Sequence, residues 1–361
     1  MNDANPIKGR GALTNPEGRF ETRRKHAEDD GWTTPPEDAE ALPPLDTLLR
    51  PDPSRTIITR NQSPDIPFSQ SINPYKGCEH GCIYCYARPS HAYLNLSPGL
   101  DFETKIFYKD RAAELLEQEL RKPGYRPATI TLGANTDPYQ PAERKLKVTR
   151  GILEVLQRFR HPVGVITKSA LVTRDLDILA DMAHRNLAVV FVTITTLDRD
   201  LKRKLEPRAP DPASRLRAVE TLAKAGVPVG VMTAPIIPTI NDAEMERILE
   251  QAAAAGACGA GYVLLRLPYE LKDLFKEWLA AHYPLRAEHV MSLIRQSRGG
   301  KEYDSGFGSR MRGTGGFADL IASRFALACK RHRLCFDRRL RLTTEHFRVP
   351  PEGGQLALWG E

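Results

Sequence analysis

The sequence predicts an α/β fold in which about six strand-and-helix units follow one another along a parallel sheet. Short apolar runs rich in β-branched residues alternate with longer amphipathic stretches, and Gly226 and Gly256 follow the last turn of two such stretches. Strands that are covered on both faces read as continuous apolar runs, as parallel strands do in α/β proteins. Six units are too few for a closed eight-fold barrel. A partial barrel or an open doubly wound sheet is therefore expected, with ligands at the carboxyl ends of the strands.

The elements can be read from this pattern in chain order. The predicted strands are residues 128–133, 163–168, 188–195, 227–236 and 260–267. The predicted helices of the sheet region are residues 111–120, 149–159, 173–185, 212–226 and 241–256. The first of these helices belongs to a unit that begins near a cysteine-rich loop. Towards the C-terminus, further helices are predicted at residues 270–284, 286–296 and 315–334.

Composition divides the chain into three parts. Residues 1–55 are rich in Pro, Gly and charge, which predicts a disordered N-terminal arm. Residues 56–270 carry the α/β pattern and form the predicted core. Residues 271–361 predict a helical, basic C-terminal extension.

The net charge of +7 is concentrated in the C-terminal extension. Residues 295–350 contain thirteen Arg or Lys against five Asp or Glu, an excess of +8 that leaves the rest of the chain at −1. Such a surface favours polyanions, and Phe325, Phe336 and Phe347 among the arginines would suit stacking on bases. The pattern leaves open whether this segment contacts nucleic acid or is a solvated basic face with packed phenylalanines.

The composition also bears on the compartment. With 41% hydrophobic and 27% charged residues the chain is typical of globular proteins, and no apolar run is long enough to span a bilayer. The first twenty residues lack the apolar stretch of a secretory signal, so the expected compartment is the cytoplasm, with no membrane partner. Six cysteines in a reducing compartment predict metal binding or catalysis rather than disulfides.

Three of the six cysteines, Cys78, Cys82 and Cys85, lie in one eight-residue window with the spacing C-x3-C-x2-C. Unrelated thiols would rarely cluster so closely. A structural zinc site would take His80 or His91 as its fourth ligand, but such sites usually have a second pair of ligands, which the other cysteines do not form. A [4Fe-4S] cluster is the third alternative, because three cysteines would leave one of its four irons open to a substrate or cofactor.

The order Cys78, Cys82, Tyr84, Cys85, on a loop that opens a partial barrel, resembles the signature of radical S-adenosylmethionine (SAM) enzymes. A closer resemblance covers residues 70–270 and is carried by GANTDPYQPAE, ITKSALVTRD and LEPRAPDPASR. It is to the branch that includes spore photoproduct lyase and DNA repair photolyase-like proteins. The resemblance implies a partial (βα)6 TIM-type barrel, a [4Fe-4S] cluster whose open iron binds SAM, and a low-potential electron donor. Reductive cleavage of SAM would yield a 5′-deoxyadenosyl radical that takes a hydrogen atom from the substrate.

The resemblance also implies which residues contact the charged end of SAM. Thr136 and Asp137, after the second predicted strand, would meet the amino group, because a carboxylate beside an ammonium is electrostatically favourable. Lys168, at the end of the next strand, would pair with the SAM carboxylate as a point charge. A purely structural role remains the alternative for each of them, since Asp137 also precedes a proline that shapes a turn.

The nucleoside end of SAM would meet a second group of residues by the same resemblance. Tyr84 would lie against the adenine, Thr193 would hydrogen-bond the ribose, and Ala234 would offer backbone groups to the base. Arg215, with Glu206 in the same segment, is a further candidate. All of these positions lie in the cysteine motif or at or beyond the ends of predicted strands, where functional residues of barrels collect.

The resemblance does not extend to the whole reaction of spore photoproduct lyase. Spore photoproduct lyase-like enzymes place a hydrogen-donating cysteine where this chain has Ala134, so the resemblance implies SAM binding and radical generation rather than the lyase reaction. The leading hypothesis is a radical SAM enzyme that acts on nucleic acid by repairing or modifying a DNA base. Two alternatives remain open. One is a radical SAM enzyme for RNA, a protein side chain or a small metabolite, and the other is a non-catalytic metal-containing module that binds nucleic acid.

The last residues of the sequence contain a second pattern that suggests a role on DNA. Gln355, Leu358 and Trp359 in QLALW resemble the pentapeptide by which bacterial replication and repair proteins bind the sliding clamp. Disordered tails of this kind dock through a few apolar anchors, here Leu358 and Trp359. A strand remnant without a partner is the alternative.

Overall fold

The computed structural model describes residues 6–20, 46–334 and 340–351. Its strands are β1 Leu48–Pro51, β2 Thr59–Arg60, β3 Gln70–Ile72, β4 Tyr75–Lys76, β5 Lys105–Tyr108, β6 Ile130–Leu132, β7 Val163–Thr167, β8 Ala188–Thr193, β9 Val229–Ile236 and β10 Gly259–Leu264. Its helices are α1 Leu100–Thr104, α2 Ala112–Leu120, α3 Glu143–Leu146, α4 Val148–Arg158, α5 Leu176–Ala183, α6 Arg199–Leu205, α7 Pro212–Lys224, α8 Met245–Ala254, α9 Leu271–His282, α10 Ala287–Gln296, α11 Ser309–Arg312 and α12 Gly316–Arg331. Short 3₁₀ helices cover Arg88–Leu94, Ala170–Asp175 and Asp242–Glu244.

The large sheet has the strand order β10-β9-β8-β7-β6-β3-β2, in which all neighbours but β2 run parallel. Neighbouring parallel strands are also successive strands of this sheet along the chain, so every crossover proceeds in the same direction. A doubly wound sheet would reverse its order at a switch point. The structure therefore confirms the predicted α/β class and selects the partial (βα)6 barrel, which is open because its edge strands do not pair with each other within the described residues.

The predicted strands and helices of the core are found with small changes at their ends. Two predicted helices begin later than expected, because the 3₁₀ helices Ala170–Asp175 and Asp242–Glu244 precede α5 and α8. The first barrel strand, β3, was not assigned from the pattern, since it has only three residues. The small sheet β1-β5-β4 was not expected either, and its strand β4 leads directly into the cysteine motif.

The core lies between the barrel sheet and the helices that cover it. Valines of β7 and β8 and the inner face of α4 are fully buried, including Leu153 and Leu156. Each such side chain contributes about 1.5–3 kcal/mol when it is removed from water. None of the helices in the described ranges is long and apolar enough to cross a membrane.

The two terminal parts of the chain pack against this core. Helices α9 and α10 share an apolar cluster with Tyr84, and the Trp278 indole donates to the carbonyl oxygen of Lys204 at 3.0 Å. Helix α12 packs against α8 and β10. At the other end, Ala12 is fully buried and Arg10 is nearly so. Residues 6–20, which lie in the arm expected to be disordered, are thus packed against the barrel.

Candidate active site

The cysteine loop, residues 77–87, follows β4 at the carboxyl end of the barrel. Cys78 and Cys82 are only 6% and 7% exposed, and Cys85 is half-buried. Gly81 has φ +68°, and a Cβ added there would lie 2.7 Å from the Glu103 carboxylate. Only glycine adopts this backbone without strain and without a clash.

Gln140 holds the backbone on both sides of Cys78. Its side-chain amide donates to the carbonyl oxygen of Gly77 at 3.2 Å and accepts from the backbone N–H of Glu79 at 2.9 Å. Gln140 is fully buried, so these bonds are not shared with water. It lies in the stretch GANTDPYQPAE that carried the resemblance, yet no role was predicted for it.

A buried ion pair holds the other side of the loop. Arg88 donates to the carbonyl oxygens of Cys82 at 2.9 Å and Gly81 at 3.0 Å, and it forms a salt bridge with Glu103. The Glu103 carboxylate also accepts from the backbone N–H groups of Gly11 at 3.0 Å and Ala12 at 2.8 Å. The N-terminal segment 6–20 is therefore part of the shell around the cysteines, which the sequence pattern did not indicate.

Asp137 joins the ends of β6 and β7. Its carboxylate accepts from the Thr167 hydroxyl at 2.6 Å, from the Tyr139 N–H at 2.9 Å and from the Lys168 N–H at 2.8 Å, and it lies 3.3 Å from Nδ1 of His80. Burial would raise the pKa of this carboxyl, but His80 and the hydrogen bonds hold the pKa at about 2. Asp137 is thus an ionised group that positions the backbone of Lys168.

Tyr84 is tied to a buried carboxylate. Its hydroxyl donates to Glu206, which also accepts from the Thr195 hydroxyl at 2.6 Å and forms a salt bridge with Arg215. Burial would raise the pKa of Glu206, but Arg215 and Lys168 hold the pKa at about 2. The Tyr84 hydroxyl is therefore not free, and its hydrogen bond to Glu206 fixes the position of the ring beside Cys85.

The same network reaches two more predicted residues. Arg215 donates to the carbonyl oxygen of Thr193 at 3.0 Å, and the Thr195 hydroxyl lies 3.1 Å from the carbonyl oxygen of Ala234. Thr195 was not among the predicted residues, although its place just after β8 follows the strand-end rule that found the others. Thr136 lies apart from this network, because its hydroxyl donates to the carbonyl oxygen of Tyr75 at 2.7 Å.

Lys168 contributes an ammonium group that forms no salt bridge within the described residues, and the nearby Glu206 carboxylate, whose pKa it lowers, is already paired with Arg215. Its Nζ lies 5.6 Å from the centroid of the Tyr84 ring. Among the described residues, no carboxylate is in salt-bridge contact with it and no side chain or carbonyl accepts from it. A half-buried cation without a salt bridge attracts an anionic ligand, because a new partner replaces the hydration that the ammonium has lost.

The three thiols of the loop are a donor set that fits a [4Fe-4S] cluster. Within the described part of the chain, no three His, Cys, Asp or Glu side chains converge as ligands of one ion, which is the arrangement that structural zinc needs. His91, a predicted alternative zinc ligand, has its Nε2 3.0 Å from the carbonyl oxygen of Lys105. In a [4Fe-4S] cluster each thiolate binds its own iron, so the three cysteines of this loop suffice without convergence on one point.

Comparison with known proteins identifies the class. The sequence profile described as the radical SAM superfamily matches residues 72–252, half of the chain, and the chain belongs to this superfamily. It is therefore a radical SAM enzyme, and the non-catalytic module considered from the sequence is set aside. The family implies a [4Fe-4S] cluster and SAM as cofactors. The assignment of individual residues to them stays a prediction.

Curated relatives are also similar to this chain in sequence. An uncharacterized protein of Mycobacterium tuberculosis is 37% identical over 233 residues, 64% of this chain and 68% of the relative. An uncharacterized protein of Methanocaldococcus jannaschii is 30% identical over 173 residues, 48% of this chain and 62% of the relative.

Solved structures show the same fold. Spore photoproduct lyase complexed with dinucleoside spore photoproduct matches with a TM-score of 0.57 and 16% identity over 79% of each chain. A mutant of that enzyme with bound AdoMet and the same dinucleoside also has a TM-score of 0.57, at 15% identity over 79% of this chain and 78% of the other. These likenesses confirm the predicted radical SAM barrel.

Three arginines of the basic C-terminal segment have partners elsewhere in the fold. Arg298 donates to the carbonyl oxygen of Leu265 at 2.9 Å, Arg310 pairs with Asp65, and Arg324 pairs with Glu246. The rings of Phe325 and Tyr262 lie 4.7 Å apart, and Phe347 packs against Tyr125 and His161. Both phenylalanines are partly buried and pack against the core, so part of each ring surface is already covered.

Phe336 and the predicted clamp residues Gln355, Leu358 and Trp359 lie outside the described residues.

Proposed function

We propose that this radical SAM enzyme cleaves SAM reductively at the cysteine loop and uses the resulting radical on a nucleic acid, repairing or modifying a DNA base. The observation that carries the proposal is the unpaired ammonium of Lys168 beside the Tyr84 ring. A carboxylate-bearing cofactor with an aromatic base matches a half-buried cation next to an aromatic ring.

Cys78, Cys82 and Cys85 would hold the cluster, and Lys168 would hold the carboxylate of SAM. The cluster and SAM together supply the electron and the radical chemistry. The protein's own residues would orient the bound cofactor and exclude water from it. Asp137 positions the backbone of Lys168, and Glu206 fixes the hydroxyl of Tyr84 so that its ring cannot rotate away. The low exposure of the cysteines keeps solvent from this end of the barrel.

Two observations support a nucleic-acid substrate. The chain carries a net charge of +7, which favours a polyanionic partner. The solved structures that share this fold include a complex with a dinucleoside. RNA, a protein side chain and a small metabolite are the competing substrates. A contact between residues 295–350 and the nucleic acid is a further proposal, and several arginines of this segment already have partners within the protein.

Anaerobic reconstitution with iron and sulfide, followed by reduction with SAM present, tests the radical chemistry. We expect 5′-deoxyadenosine and methionine as products, and we expect Lys168→Gln to raise the SAM concentration needed for half-maximal cleavage at least tenfold. Arg203→Gln, an exposed change on α6, is the control for loss of one positive charge. A reduced, iron-loaded protein that leaves SAM intact would overturn the proposal.

Deuterium transfer identifies the substrate. Deuterated DNA, deuterated RNA, a deuterated pool of peptides and metabolites, and an unlabelled control are each incubated with the reduced enzyme and SAM, and the mass of 5′-deoxyadenosine is measured. Deuterium from DNA alone supports the proposal. Deuterium from RNA, or from neither polymer but from a peptide or metabolite pool, would assign the enzyme to a competing substrate.

A further inference from the structure

A cleft of about 210 Å³ opens beside the cysteine loop, where the chain leaves β10. Its walls come from four segments: the N-terminal segment 6–20, the cysteine loop with the following 3₁₀ helix, the turn after β10, and the C-terminal extension. The side chains that dominate it are Arg19, Tyr86, Tyr93, Arg266, Tyr269 and Tyr303. We call it the arginine–tyrosine cleft.

Arg266 gives this cleft a free positive charge. Its guanidinium carbon lies 5.3 Å from the centroid of the Tyr86 ring, and its Nε is buried without a hydrogen-bond partner. The remaining contacts are long, at 3.5 Å to the Tyr303 hydroxyl and 3.5 Å to the Met311 sulfur. No carboxylate of the described chain is in salt-bridge contact with it. A guanidinium in this state is suited to bind a phosphate through two donors.

Aromatic rings form the outer part of the cleft. Tyr93 is 71% exposed and Tyr269 is 62% exposed, which is unusual for large rings that lie close together. Arg19 lies 3.9 Å from the centroid of the Tyr269 ring and 5.8 Å from that of Tyr93. Phe20 continues the cluster, with its ring 5.1 Å from Tyr93. Alternating aromatic rings and guanidinium planes are surfaces on which unstacked bases bind.

The carboxylate of Glu270 lies in the cleft and would repel an anionic ligand. Glu270 forms a salt bridge with Arg19 at 3.1 Å, and its other carboxylate oxygen is buried without a partner. The pair cancels the charge of Arg19, so Arg266 supplies the net positive charge. Removing the charge of Glu270 would therefore free Arg19 for the ligand.

We propose that the arginine–tyrosine cleft binds one unstacked nucleotide of a single nucleic-acid strand, with its phosphate on Arg266 and its base among Tyr93, Tyr269 and Arg19. The proposal rests on the proposed function, because it names the place where the substrate strand lies beside the radical site. The volume is below the roughly 300–1,000 Å³ of sites for drug-sized ligands, which suits a single base. The N-terminal segment thereby becomes a part of the substrate site.

Fluorescence anisotropy with a labelled single-stranded 12-nucleotide DNA, measured on the full-length reconstituted protein, tests the cleft. Tyr269→Ala is expected to weaken binding by about 5- to 150-fold, the range for loss of one stacking ring, without changing the salt dependence. Arg266→Gln is expected to weaken binding and to reduce the slope of log K against log salt by about 0.7, the loss of one phosphate contact. Glu270→Gln is expected to tighten binding, which a merely structural salt bridge would not do. Arg203→Gln is the control.

The outcomes separate this proposal from the proposed function. Wild-type protein that does not bind the strand, or cleft variants that bind as tightly as Arg203→Gln, would overturn the cleft while SAM cleavage stands. Absence of SAM cleavage in the wild type would overturn the proposed function whatever the binding result. The same titration with RNA of equal sequence, with the DNA duplex and with a mononucleotide identifies the strand. Tighter binding of the duplex than of the single strand would contradict the proposal.

Discussion

Gln140 gives the sharpest test of how the fold holds the cysteine loop. Its amide makes the two hydrogen bonds that flank Cys78, to the carbonyl oxygen of Gly77 and from the N–H of Glu79. Gln140→Leu keeps most of the volume but leaves both backbone groups buried and unsatisfied. Each such group costs about 1–3 kcal/mol, so we expect the free energy of unfolding to fall by about 2–6 kcal/mol. That is a large share of the roughly 5–15 kcal/mol that stabilises a typical domain.

The assay has two readouts and one matched control. Urea unfolding of the metal-free protein measures the stability term, and iron content after anaerobic reconstitution measures whether the loop still holds a cluster. The control is Gln157→Leu, which removes a single hydrogen bond to Asp181 at 2.8 Å on the partly exposed face of α4. We expect Gln157→Leu to change stability by less than about 1 kcal/mol and to keep full iron content. If Gln140→Leu matches Gln157→Leu in both readouts, the reasoning is refuted.

Three further predictions concern the loop, the core and the tail. Gly81→Ala should cost more stability in urea unfolding than Gly124→Ala, because both have positive φ but only at Gly81 does the added Cβ meet another group; equal losses would contradict the clash. Burial lowers the pKa of His161 from 6.5 to about 4, so the folded state binds fewer protons between these values. The contribution of His161 to stability should therefore be complete above pH 6.5 and fall by about 3 kcal/mol as the pH drops to 4, in addition to the loss from the similarly buried His91. His161→Gln should reduce this loss while the exposed His184→Gln retains it, and parallel pH curves for all three proteins would count against the assignment. A pull-down on purified sliding clamp should retain the wild type and lose the variant with alanine at Gln355, Leu358 and Trp359; equal retention would end the clamp hypothesis.

Local sequence was sufficient for most of the barrel. The strands from β6 to β10 were predicted because they are continuous apolar runs, a pattern that a buried parallel strand requires. β3 was missed because three residues carry no period. The small sheet was missed because β1 and β5 lie more than fifty residues apart, and no local pattern states that they pair.

The candidate site divides in the same way. The cysteine spacing and the strand-end positions of Asp137 and Lys168 were readable along the chain, since they depend on local order and on the known edge of a parallel sheet. The partners of these residues were not readable. Thr195, for example, follows β8 like other candidates, but its contact with Glu206 depends on how the loop after α6 turns back.

By itself the sequence determined the α/β class, the number of barrel units and the three-cysteine motif, because each of these is written in spacing and periodicity over short stretches. Only the tertiary structure decided what surrounds the motif. Gln140 reaches Glu79 from 61 residues away, and Gly11 reaches Glu103 from 92 residues away. It also decided that Phe325 and Phe347 are packed and that Tyr93 and Tyr269 are exposed. Such facts depend on which distant segments meet in three dimensions, and the periodicity of one segment carries no information about the surface it meets.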